Sequence, residues 1–183
     1  MTSATSQPTA FWKGHGTQND FVIVDDLDVR LALEPSTVAA LCDRQRGIGA
    51  DGLLRVARAG ALVDAGVLAG LGEGIADDDL FMDYRNGDGS IAEMCGNGVR
   101  VFAHYCRVAG LTDLDEFVVG SRAGARRVHI HLVTPTDADV SVSMGPARRG
   151  VTSSATIAGT TYRGLAVDVG NPHLACVVGG LTH

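Results

Sequence analysis

Apolar positions along this chain recur with two different periods. Val99, Phe102, Ala103, Cys106 and Val108 return every third or fourth residue, which predicts one face of an amphipathic helix starting after Cys95 and ending near Gly110. Elsewhere the apolar residues come in short bursts bounded by turn formers, the mark of strands. Phe21 to Asp26 is the first, and Leu53 to Val56 follows the turn at Gly49–Gly52. Further strands are expected at Leu80 to Tyr84, Phe117 to Val119, Arg127 to Val133, Val140 to Met144, Leu165 to Val169 and Leu174 to Val178. Ser36 is placed to cap a helix over Thr37 to Arg44, with Gly47 as its stop. Residues 57–79 are rich in Ala and Gly and end in three aspartates, so a surface excursion with at most one weak helix is expected. Asn86-Gly87-Asp88-Gly89 is a strong turn signal, and Met144-Gly145-Pro146 breaks the pattern as a domain boundary would. One weak repeat runs through the chain. Gly16 to Val24 and Val169 to Val178 each place an Asn at a turn before an apolar strand, which chance alone or a second copy of the first domain would explain.

The 183 residues suffice for one ordinary domain or two small ones. A formal net charge of −6 argues against nucleic acid or an anionic membrane surface as partner. No apolar stretch is long enough to span a bilayer, and the small, polar residues 1–10 read as a disordered leader without a targeting signal. Cys42, Cys95, Cys106 and Cys176 form no C-x-x-C pair and read as reduced thiols of a cytoplasmic protein.

Three of these cysteines lie in apolar surroundings and read as small core residues. Cys95 differs, standing between a turn and a helix start, with Gly96 and Gly98 leaving room for a ligand. Unpaired N–H groups and the positive end of the helix dipole stabilise a thiolate there and can hold a carboxylate. Taken singly, Asn19, Asn86 and Asn171 are ordinary turn residues, and His173 reads as a histidine satisfied by the backbone. His129 and His131 share a strand face but lack a third ligand, so no metal site is expected. Gly70 to Gly74 lacks the strand and the Lys of a nucleotide loop.

Together the segments are far more specific. His15-Gly16-x-x-Asn19-Asp20-Phe21, Asn86-x-Asp88-Gly89-Ser90, Met94-Cys95-Gly96-Asn97-Gly98-x-Arg100, Met144-Gly145 and Gly170-Asn171-Pro172-His173 occur in this order. The series resembles the diaminopimelate epimerase family, in an actinobacterial-type version, over nearly all of residues 11–178. Related proline racemases resemble the cysteine segment but usually carry His where Asn97 stands.

The resemblance implies an α+β fold of two pseudo-symmetric domains, each a curved, mostly antiparallel sheet around a central helix. Residues 11–143 would form the first domain and 144–183 the start of an incomplete second. It implies an isomerase that converts LL-2,6-diaminopimelate to the meso form, in lysine and peptidoglycan biosynthesis. No cofactor or metal is implied, and the full-length protein would be a homodimer. One thiol removes the α-proton and a second returns one from the opposite face. Cys95 matches the first thiol, usually described as the proton donor. Gly96 and Asn97 match the carboxylate cradle, while Asn19, Asn86 and Asn171 match substrate-binding positions. His173 matches an accessory histidine near the thiols. Many members carry a substrate-binding Gln where Gly52 stands, and Gly52 cannot supply that amide. The second cysteine motif, a Glu-Arg pair and one further Asn have no counterpart in the 183 residues, so this chain alone is expected to be inactive. The alternatives are a proline-racemase-type isomerase acting on another amino acid and a non-catalytic substrate-binding fragment.

Overall fold

A computed structural model describes residues 9–169 and 172–178. They fall into two compact units that divide between Ser143 and Met144. In the first, the described residues form β1 (Trp12–Gly16), β2 (Asn19–Asp25), α1 (Pro35–Cys42), β3 (Gly52–Arg58), α2 (Ala59–Asp64), β4 (Leu80–Asn86), α3 (Gly96–Val108), β5 (Glu116–Gly120), β6 (Arg126–Val133) and β7 (Ala138–Val142). The seven strands make one sheet in chain order. The β2–β3 and β4–β5 pairs are parallel and the other four antiparallel. The second unit is a three-stranded antiparallel sheet in the order β10 (Pro172–Ala175), β9 (Thr160–Asp168), β8 (Arg148–Ile157). No helix among the described residues is long and apolar enough to cross a membrane.

In the first unit α3 is the axis, touching β1, β2, β3, β4, β6 and β7. Seven flat strands at about 4.8 Å spacing span nearly 30 Å, whereas a helix with its side chains is about 10 Å across. One helix reaches strands at both edges only if the sheet curls around it, which makes this the curved α+β architecture expected. The curl also buries α3 on more than one stripe. Val99, Phe102, Ala103 and Cys106 are buried as their spacing predicts, but so are Val101 and Tyr105. Val101 packs on Gly14 of β1, and the Tyr105 ring lies 4.8 Å from that of Trp12. Val108, at the end of the same predicted face, is 50% exposed.

The opposite face of the sheet carries two apolar clusters. Val22, Val24 and Leu53 pack with Val38 and Cys42 of α1, while Ala57 and Phe81 pack with Ala59 and Leu62 of α2. This corrects the reading of residues 57–79 as a surface excursion, because Ala57, Ala59 and Leu62 are fully buried and Val67, Leu68, Leu71 and Ile75 pack against them. On the same face of β3 and β4, opposite α3, Arg55 and Asp83 form a buried charge network. Asp83 pairs with Arg85 at 3.0 Å and Arg122 at 2.6 Å, and Arg55 reaches Asp26 at 3.4 Å and donates to the Leu31 carbonyl at 2.7 Å. Burial opposes ionisation of Asp83, but the guanidinium groups of Arg85 and Arg122 hold its carboxyl below the usual range.

Several boundaries differ from the sequence expectation. Helix α1 begins two residues before the predicted span, with Pro35 in its first turn and Glu34 at the N-cap making no side-chain capping bond. A proline there is preorganised for the helix, so Ser36 is not needed as a cap. Strand β10 stops at Ala175, short of the predicted Val178, and Cys176 just beyond it is half-buried, not core. The first eight residues of the expected leader lie outside the described residues, as do Gly170 and Asn171. Of the two stretches alike in sequence, the first holds the hairpin turn between β1 and β2, and the second contains β10, which pairs with β9. Gly16 pairs with Asn19 across a two-residue turn, and Asp168 pairs with Pro172.

Candidate active site

Three strand ends and one helix start meet at one end of the curled sheet. Asn19 opens β2, Gly52 opens β3 and Asn86 closes β4. Register joins them, with Phe21 opposite Gly52 and Gly52 opposite Asn86. Leu54 packs against Gly98 of α3, so the alternate residues Gly52 and Leu54 face the helix. Their β4 partners Asn86 and Tyr84 share that face, as do Phe21 and Asn19 on β2.

Cys95 is the N-cap of α3, with extended backbone (φ −143, ψ 111). Its Sγ accepts hydrogen bonds from the Gly98 N–H at 3.3 Å and from Asn19 Nδ2 at 3.7 Å. The Val99 N–H takes the Cys95 carbonyl at 2.9 Å and opens the regular ladder. Gly96 and Asn97 occupy the first two helical positions, where an N–H has no intrahelical acceptor. A half-buried thiol thus sits beside two open N–H donors at the positive end of a helix, where a neighbouring carboxylate can be held.

The turn between β1 and β2 is pinned to this helix start. Thr17 and Gln18 both adopt left-handed backbone (φ 53 and 67), a conformation costly for residues other than glycine. Arg100 holds it, giving Nη2 to Thr17 Oγ1 at 2.9 Å and to Asn97 Oδ1 at 2.5 Å. Gly16 allows the close approach, since a Cβ there would lie 2.8 Å from the Asn97 carbonyl oxygen. Behind the turn, the starts of β2 and β3 clasp each other through reciprocal 3.1 Å hydrogen bonds, from the Asp20 N–H to Asp51 and from the Asp51 N–H to Asp20. Arg44 binds both carboxylates, at 2.6 and 2.8 Å, and Lys13 pairs with Asp20 at 2.9 Å. Arg44, with Lys13, holds the Asp20 carboxyl well below the usual range.

Of the residues singled out by sequence, Cys95, Gly96, Asn97 and Asn19 are together. Asn86 lies on the same face at the end of β4, its Nδ2 donating to Ser90 Oγ at 2.9 Å within the expected turn. Asn171 lies outside the described residues, and His173 is exposed on β10 in the second unit. Gly52 has no space for a side chain, because a Cβ would lie 2.6 Å from both the Arg85 carbonyl oxygen and Tyr84 Cε2. Sequence reading missed Thr17, Arg100 and Tyr84. For Tyr84 the signal was its place two residues before Asn86 in a strand, which puts both on one face. A groove of about 550 Å³ between β1 and α3 shares Thr17 and Arg100 with this arrangement, but Cys95 does not line it.

A sheet curled on one helix, with a thiol capping that helix, is the architecture of an epimerase-type α+β fold. The same fold occurs in a hydroxyproline epimerase from Agrobacterium vitis solved with bound trans-4-hydroxy-L-proline, at a TM-score of 0.55 and 11% identity over 86% of this chain and 48% of that one. The family model for diaminopimelate epimerase matches residues 11–150, and the chain belongs to that family. It is 69% identical over 167 residues to the diaminopimelate epimerase of Rhodococcus erythropolis, covering 91% of this chain and 57% of that protein. It is 63% identical over 172 residues to the enzyme of the same name from Rhodococcus jostii, covering 94% and 60%. The chain thus spans less than two thirds of the length of these relatives.

Proposed function

We propose that this chain contributes one half of the active site of a cofactor-independent epimerase acting on LL-2,6-diaminopimelate and giving the meso form, in lysine and peptidoglycan precursor synthesis. The observation that carries the reading is the Cys95 sulfur, held between Gly98 N–H and Asn19 Nδ2 beside the open N–H groups of Gly96 and Asn97. Cys95 exchanges a proton with the α-carbon on one face. As the proton leaves, negative charge spreads onto the α-carboxylate, which the N–H groups of Gly96 and Asn97 stabilise. Asn19 and Asn86, neutral amides able to donate and accept, suit a zwitterionic substrate.

Inversion requires a second thiol on the opposite face of the carbon. Cys42 and Cys106 are sealed in the core of the first unit and cannot supply it. The partner thiol therefore comes from outside that unit, and because the second cysteine motif implied by the family resemblance has no counterpart around Cys176, the 183 residues alone are expected not to complete the inversion. The experiment is stereoisomer-resolved turnover by the protein at the length of its relatives. Formation of meso-diaminopimelate, with no turnover of proline or hydroxyproline, is expected. Turnover of proline or hydroxyproline alone would replace this reading with a proline-racemase-type activity.

A further inference from the structure

Tyr84 is more than nine-tenths buried, yet none of the described residues hydrogen-bonds its hydroxyl. The ring is fixed edge-on to Phe21, with centroids 5.9 Å apart and planes at 81°. Its Cε2 fills the space that a side chain on Gly52 would need, and its oxygen would lie 3.4 Å from a Cβ there. Tyr84 stands opposite Leu54, which packs on the start of α3, and two residues before Asn86 on the same strand face. A rigid aromatic stem therefore delivers an unclaimed hydroxyl to the strand ends that hold Asn19 and Asn86, at the end of the sheet where Cys95 begins α3.

We propose that Tyr84 Oη is a substrate-contacting donor, giving its proton in a hydrogen bond to a carboxylate oxygen of the bound amino acid and doing so from the space that Gly52 leaves open. The assignment rests on the epimerase reading for the identity of the substrate, but not for the chemistry of the contact. Burial, then the charge of Cys95, then Asp51 and other neighbours push the phenol up to about 12, so it keeps its proton across working pH and serves as a donor.

Tyr84→Phe removes the oxygen and leaves the ring packing intact. Two readouts test it. In the protein at the length of its relatives, kcat/KM for diaminopimelate is expected to fall about 10- to 100-fold, the range for one hydrogen bond to a charged group, with the melting temperature unchanged. Separately, alkylation of Cys95 is followed at fixed pH with iodoacetate and with iodoacetamide, and the adduct quantified on the Cys95 peptide. Iodoacetate carries a carboxylate and iodoacetamide does not, so the ratio of their rates is expected to fall about 10-fold in Tyr84→Phe. An unchanged ratio, or an equal change with both reagents, overturns the proposal. Absence of diaminopimelate turnover by the wild type would sink the epimerase reading, while the alkylation ratio would still judge Tyr84.

Discussion

Cys95 combines two roles that usually belong to different residues. As the N-cap of α3 its sulfur accepts the Gly98 N–H, and as the candidate proton-exchanging thiol it faces Asn19. The second contact depends on the β1–β2 turn staying against the helix. Arg100 ties that turn to α3 through Thr17 while bracing Asn97 on the helix itself, so Arg100→Met is expected to cost about 1–2 kcal/mol in chemical denaturation, the worth of these two hydrogen bonds. Asp20 supports the same turn from behind. Its carboxyl is held low in the folded state by Arg44 and Lys13, so it contributes stability that is fully present above the unfolded carboxyl value of about 3.9. That contribution disappears as pH falls towards the lower folded-state value. Asp20→Asn is therefore expected to be less stable than wild type at pH 7, with the gap narrowing in melts taken at successively lower pH below about 4. A gap constant from pH 7 to pH 2 would assign the loss to packing and not to charge.

Helix α3 was legible in the sequence because it is the element most nearly ordinary, with an apolar face, a start at Cys95 and an end near Gly110. Its buried Val101 and Tyr105 were not, since a single-stripe expectation presumes a sheet on one side and this sheet wraps round. Strands β1 and β8 were missed for opposite reasons. In β1, Gly14 packs its backbone on Val101 and Gly16 closes on Asn97, so of the three inward positions only Trp12, on Tyr105, carries an apolar side chain, too few to reveal a period of two. Every residue of β8 is exposed, so no face of it needed to be apolar. Tyr84 hid as a strand residue, because its function rests on the space left by Gly52 across the ladder, a relation that only the register displays. At this scale the buried ion network between β3 and β4 should be structurally unforgiving. Asp83→Ala strands Arg55, Arg85 and Arg122 without their shared carboxylate and is expected to cost about 3–5 kcal/mol in equilibrium unfolding.

For the molecule as a whole, the family and the curled α+β fold were readable from the ordered motifs, since turn chemistry and the thiol at the helix start are local features that sequence records directly. The clasp of Asp20, Asp51, Arg44 and Lys13, which fixes where those motifs sit in space, depends on pairs 24 and 31 residues apart in the chain and has no local signature. The central claim is that Cys95 is the thiol that exchanges the substrate's α-proton and that a thiol from outside the first unit completes the inversion. Its most direct test is mass-spectrometric detection of solvent deuterium at the α-carbon of diaminopimelate, with stereoisomer analysis. Four proteins are compared: the protein at the length of its relatives, its Cys95→Ala variant, the 183-residue chain, and the same chain with Cys95→Ala. The account predicts deuterium together with epimer for the long protein, and loss of epimer in its Cys95→Ala variant by at least about a thousand-fold, the scale for removing a reacting group. It predicts no epimer from either 183-residue chain. Epimer and deuterium formed by the 183 residues alone, or undiminished in the long Cys95→Ala variant, would contradict it.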